Sequence, residues 1–247
     1  MTDYLQNFLT ATWYLIAIPA LFGCALSLIS HCNKALVVKH FGFLAQVIGG
    51  GIGIIIHELS HLIVALLFRH HIQGVALLRI PNYKIEGDTQ LGYVQHTWQP
   101  SSLYQQSGNF FIGLAPLIGE TLSIIALTKL LVPPVFSWWL AIESGNPQAD
   151  PNGLVWWKLL VWLILLVNIS VGGFDLSPAD LANSGQGVLS LLVIYLAALV
   201  IVTLALSPAA FKATLLAIMI PVYWALGLAL AINIATWGLV VMLGKVA

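Results

Sequence analysis

The sequence predicts an all-α polytopic membrane protein of about six transmembrane helices, with a small β-hairpin loop after the second. Three observations carry that expectation. Hydrophobic residues make up 60% of the 247 residues, charged residues only 7%, and the mean hydropathy is +0.95, whereas about a quarter of the residues of a soluble domain are charged. The apolar residues fall into runs close to the ~20 needed to cross a bilayer. One long non-apolar stretch, Arg69 to Asn109, interrupts them.

In order, the runs are Phe8 to Ile29, Phe41 to Phe68, Phe110 to Leu131, Leu154 to Gly173, Val188 to Leu206 and Ala213 to Leu243. Within the first, Leu21-Phe22-Gly23-Cys24 faintly resembles a lipoprotein cleavage box. No basic residue precedes it and Asp3 stands where a basic segment should be, so the expectation is an uncleaved first helix. Cys24 and Cys32 are the only cysteines, too far apart for a Cys-x-x-Cys site, and read as packing residues. In the second run, Gly49-Gly50-Gly51 and Gly53 suit close helix packing or a local opening for substrate. The last run, at ~1.5 Å per residue, would be about 46 Å long. It is expected to tilt or to bend at Pro221 or Gly227, with two short re-entrant pieces as the alternative.

In the loop, Val75 to Ile80 and Leu91 to Trp98 are β-prone and are separated by Pro81-Asn82-Tyr83 and the turn-like Glu86-Gly87-Asp88, which predicts a hairpin. Its free edge suits addition of a substrate strand; an ordinary loop resting on the membrane surface is the alternative. Trp138, Trp139, Trp156 and Trp157 read as interface anchors. No internal repeat is evident, so residues 1–247 are expected to form one membrane-embedded domain, with 69–109 as its membrane-surface loop.

Charge excludes one class and leaves another question open. Nine Lys+Arg balance nine Asp+Glu with no basic cluster, which excludes a nucleic-acid surface. On the expected spans, Arg69, Arg79, Lys84 and Lys245 face one side and Lys34, Lys39, Lys129, Lys158 and Lys212 the other, so charge does not decide orientation.

Chemistry is concentrated in His57-Glu58-Leu59-Ser60-His61. On a helix, residues four apart share a face, so both imidazoles can hold one metal ion with Glu58 beside them. With 7 His among 247 residues, chance gives roughly 0.003 such H-E-x-x-H matches. Zinc with three protein ligands keeps a position open for water and lowers its pKa to roughly 7, while the neighbouring glutamate accepts and relays the proton. Polar side chains at bilayer depth are costly, which argues against core filler.

The third ligand must come from elsewhere. If the second and fourth spans run parallel, Asp175 and Asp180 lie at the level of the histidines. Glu120, mid-run after Gly113-Leu114-Ala115-Pro116, sits deeper and suits a buried hydrogen-bonding or proton-transfer group. Ser177-Pro178 fits a turn into a new helix with Asp180 in its first turn; Asp175 is then read as a cap of that turn. His96 reads as a loop surface residue or as a donor to an oxyanion.

The chain resembles the site-2 protease family of intramembrane zinc metalloproteases, in particular its compact bacterial members. The likeness rests on His57-Glu58-Leu59-Ser60-His61 in an early apolar span, on the β-prone loop with Gly92-Tyr93-Val94-Gln95-His96, and on an aspartate motif after a later span. It implies a three-helix core, Zn2+ held by His57, His61 and a distal aspartate matched to Asp180, and Glu58 as catalytic base. It further implies substrate contact along Gly92, Tyr93 and Val94, and cleavage of transmembrane protein substrates in a bacterial inner membrane. Ser177-Pro178-Ala179-Asp180 stands where the family more often has Leu-Asp-Gly, and Ala115-Pro116 near its Gly-Pro followed by Asn. A different likeness, to prenyl-protein-processing membrane metalloproteases, would make Glu120 the third ligand; only Glu143 follows it. A metal transporter or scaffold is the non-enzymatic alternative. Substrate identity, trigger and oligomeric state are not written in the sequence.

Overall fold

The computed structural model describes residues 2–81, 89–142 and 153–244. Helix α1 (Thr2–Ala11) passes through a π-helical stretch (Thr12–Ala17) into α2 (Ile18–Leu67); strands β1 (His71–Ala76) and β2 (Tyr93–Thr97) follow. Then come α3 (Leu103–Leu131), α4 (Pro133–Ala141), α5 (Trp156–Gly173), α6 (Pro178–Ala205) and α7 (Pro208–Leu243). Among the described residues, five helical segments are long and apolar enough to cross a membrane: Asp3–Leu67, α3, α5, α6 and α7.

The first two apolar runs, expected as separate spans, lie in one helical segment of 65 residues. Nothing between Ile29 and Phe41 stops a helix. The break comes at Gly42, whose φ of 80° and ψ of 172° are non-helical and are accessible without a Cβ penalty. Helix α6 begins at Pro178, ahead of the apolar run at Val188, because Ser177 caps it and proline suits its first turn. Likewise α3 begins at Leu103, with the Ser102 hydroxyl accepting from the Gln105 amide. Helix α7 remains one element with Pro221 inside it.

Helix α2 packs against α5, α3 and α7, while α6 lies mainly on α3. Gly50 of α2 and Gly172 of α5 touch through their backbones, and a Cβ on either would collide with the other. That contact is locked by Asn168, whose amide accepts from Ile52 N at 2.7 Å and donates to Ile48 O at 2.8 Å. Leu26, Ile124, Leu166, Ile169, Phe174 and Leu226 belong to the core between these helices. Large apolar side chains on α6, among them Leu189, Val193, Ile201 and Leu204, remain exposed, as a hydrocarbon environment allows.

Two expectations are corrected. Trp139 is no interface anchor: it is 2% exposed and stacks on Trp224, whereas Trp156 is 82% exposed. Cys24 and Cys32 are exposed, since the buried stripe of that part of α2 falls on Gly23, Leu26, Ser30 and Asn33.

The strands pair antiparallel from His71 with Thr97 to Ala76 with Tyr93, and a register shift between Ile72 and Gly74 leaves Gln73 over. The first strand thus starts before the expected Val75; beyond the ladder, Arg79 N still bonds Leu91 O at 2.7 Å. The Glu86-Gly87-Asp88 turn, Asn82, Tyr83, Lys84, Glu143 and Lys245 lie outside the described residues.

Candidate metal centre

Helical spacing places His57 and His61 one turn apart in α2, with their Nε2 atoms 3.2 Å from each other. Asp180, entering from the first turn of α6, sets Oδ1 3.1 Å from His61 Nε2 and Oδ2 3.8 Å from His57 Nε2. One ligand atom from each of the three residues lies within 4.8 Å of the others. All three residues are at most 9% exposed.

The outer nitrogen of each ring is tied to a backbone carbonyl. His57 Nδ1 donates to Gly173 O at 2.6 Å, at the end of α5, and His61 Nδ1 donates to Ile112 O at 2.8 Å in α3. Because a carbonyl only accepts, both rings carry a proton on Nδ1, and in the neutral form each turns a bare Nε2 toward Asp180. In that form two lone pairs and a carboxylate face one small space, an arrangement that suits a cation. Neutral imidazoles anchored through their second nitrogen, with an oxygen ligand, are the donor set of a divalent metal site. His57, His61 and Asp180 can therefore hold a metal ion.

Asp180 also completes the cap that Ser177 makes on α6. Its Oδ2 accepts from Ser177 N at 2.7 Å while Ser177 Oγ accepts from Asp180 N at 3.2 Å, a reciprocal capping box. This corrects the reading of Asp175 as the cap. Asp175 instead faces His31 Nδ1 and Lys34 Nζ, each at 3.2 Å, because the α5–α6 connection carries it toward the first half of α2. It borders the same cavity without joining the ligand group.

The other alternative ligand, Glu120, is fully buried and also outside the group. Both its oxygens lack a hydrogen-bond partner among the described residues. Its carboxyl packs against the Cα of Gly173, on the residue whose carbonyl holds His57.

Glu58 stands beside the ligands, 9% exposed, in a cavity of about 400 Å³ bounded by both histidines, Asp180, Lys34 and the segment from Thr89 to His96. Gly92 lies directly over it: a Cβ there would come within 2.6 Å of Glu58 Cγ and 2.9 Å of its Oε1. Gly92, Tyr93 and Val94, expected as substrate contacts, all border this cavity.

Sequence reading missed His70, 26 residues from His96 and linked to it only by folding. Their Nδ1 atoms are 3.0 Å apart, and Trp98 stacks on His70 with ring centres 6.0 Å apart. Lys34 was missed too, since nothing in the stretch between the first two apolar runs marks it as facing the motif. Comparison with protein-family models, curated proteins and solved structures finds no match.

Proposed function

We propose that the protein is an intramembrane zinc metalloprotease that hydrolyses peptide bonds within or near the transmembrane segments of membrane-protein substrates. The observation that carries this reading is the convergence of His57 Nε2, His61 Nε2 and the Asp180 carboxylate beside Glu58, in a helical segment apolar enough to cross a bilayer. Gly42 divides that segment of 65 residues, about 98 Å long as straight helix, and on this reading the chain crosses the membrane six times. The setting proposed is a bacterial inner membrane and regulated intramembrane proteolysis.

A zinc ion held by the three ligands supplies Lewis-acid polarisation of the substrate carbonyl and of water. Glu58 takes a proton from the water that attacks the carbonyl carbon and returns it to the amine as the C–N bond breaks. The backbone at Gly92 roofs this group, and strand β2 gives an unwound substrate an edge to lie along. Since a helix hides its amides in i to i−4 bonds, segments with helix-weakening residues make the better substrates.

Glu120 lies outside the ligand group, so the residues favour an aspartate rather than a glutamate as third ligand. The deciding experiment reconstitutes the chain in liposomes with single-span test substrates and follows cleavage by mass spectrometry, with metal per chain measured on the same samples. Cleavage by the wild type and its loss in Glu58→Gln, with metal retained, is the expected result. Cleavage at the wild-type rate by Glu58→Gln overturns the assignment.

A further inference from the structure

A second pair of imidazoles lies outside the membrane-spanning helices. His70 Nε2 is 2.9 Å from the Gln105 carbonyl oxygen, and since that oxygen only accepts, the proton of His70 is on Nε2 and its Nδ1 is a bare lone pair. The bond of 3.0 Å between the two Nδ1 atoms must then be donated by His96. This holds His96 in the Nδ1–H tautomer and leaves its Nε2 bare. Both rings are neutral near pH 7, because burial lowers the pKa of each, and that of His96 falls to about 4 through burial, then His70, then His61.

The anchor of this relay is rigid. Arg69 turns the chain with φ of 59°, Gln105 Nε2 donates to Arg69 O at 2.9 Å, and Trp98 lies flat on His70 with 22° between the rings. His96 borders the cavity that contains Glu58 and the metal ligands, and with its Nδ1 edge turned to His70, Nε2 is the polar atom its ring has left to offer. Of the two roles the sequence offered for His96, this tautomer does not suit the donor to an oxyanion, since a bare nitrogen cannot donate. It can accept, and the donors that a peptide brings to such a cavity are its backbone N–H groups.

We infer that the Nε2 of His96 accepts a hydrogen bond from a backbone N–H of the peptide segment bound in the cavity, with His70 as the positioning residue that keeps it an acceptor. The tautomer stands on the two hydrogen bonds of the pair and the neutrality of its rings; the substrate contact rests on the proteolytic reading above.

Nitrogen-15 NMR of the full chain, labelled at histidine in micelles, reads the tautomer directly. The wild type is expected to show His96 protonated on Nδ1, and His70→Phe, which keeps a ring against Trp98 but offers no acceptor, to shift that proton toward Nε2. In parallel, synthetic transmembrane peptides carry an ester in place of one amide at a time around the cleaved bond, deleting single N–H groups. One such ester should raise KM about three- to tenfold in the wild type with kcat little changed, and should have no effect in His96→Phe; His96→Gln, which keeps an acceptor oxygen, should regain the sensitivity. An Nε2–H signal in the wild type overturns the relay. An identical ester pattern in wild type and His96→Phe overturns the acceptor role. A wild type that cleaves no peptide overturns the proteolytic reading and the substrate contact with it, while the spectrum still decides the tautomer.

Discussion

His57 with His61, and His70 with His96, are both imidazole pairs with facing nitrogens, 3.2 and 3.0 Å apart. In the first pair each ring is anchored by a carbonyl, from Gly173 and Ile112; in the second only His70 is, by Gln105. Two anchored rings leave two lone pairs facing each other, and with Asp180 alongside, the pair calls for a cation. One anchored ring leaves a place for a proton, and the pair is a hydrogen bond that transmits a tautomer. The chemistry of a histidine pair is thus set by the backbone groups behind it rather than by its spacing.

The largest test removes a ligand. Asp180→Ala or His61→Ala should weaken metal binding at least about 100-fold and abolish cleavage, whereas His70→Phe and His96→Phe should retain wild-type metal content by elemental analysis; metal lost with the second pair instead would reverse the comparison. Next, Glu58→Gln should reduce cleavage about 100- to 10,000-fold with metal retained. Gly92→Val drives a branched side chain into Glu58, and on the order of a ten- to 100-fold loss of cleavage is expected, again at full metal content.

Smaller effects sharpen the contrast between carboxylates. Asp175→Asn breaks a partly exposed ion pair with Lys34 and should cost less than about 1 kcal/mol of stability, with metal unchanged, in contrast to Asp180. The smallest effect is a pH slope. Burial lowers the pKa of His96 to about 4 in the fold from the ordinary imidazole value of 6.5, so the unfolded chain binds the extra proton first. The stability from its neutral form is present above about pH 6.5 and is lost as pH falls toward 4. Thermal midpoints at pH 5 and 7 should differ less in His96→Phe than in the wild type.

Much of this was legible in sequence because it is written in spacing or run length. His57, Glu58 and His61 share a helical face by arithmetic, and apolar runs mark where α3, α5 and α7 end. Asp180 was reached by topology combined with family resemblance, since no periodicity links position 180 to position 57. The Asp175 cap failed because two acids near one helix start look alike in one dimension, and only the hydroxyl of Ser177 distinguishes them. Trp139 failed because composition cannot tell an aromatic at a membrane interface from one stacked on Trp224. The link between His70 and His96 depends on where β2 lands after the loop, a long-range outcome of folding. Gly42 was overlooked because a lone glycine in an apolar run is as often packing as a break.

The double duty of Asp180 bears on how the protein would hold a metal ion. Its carboxylate is held by Ser177 and the histidines by carbonyls of two other helices, so each of the three side chains has an anchor other than an ion. With anchors that do not depend on the ion, a chelator that strips a bound metal is expected to leave the helical circular dichroism unchanged, and metal added back is expected to restore the original content.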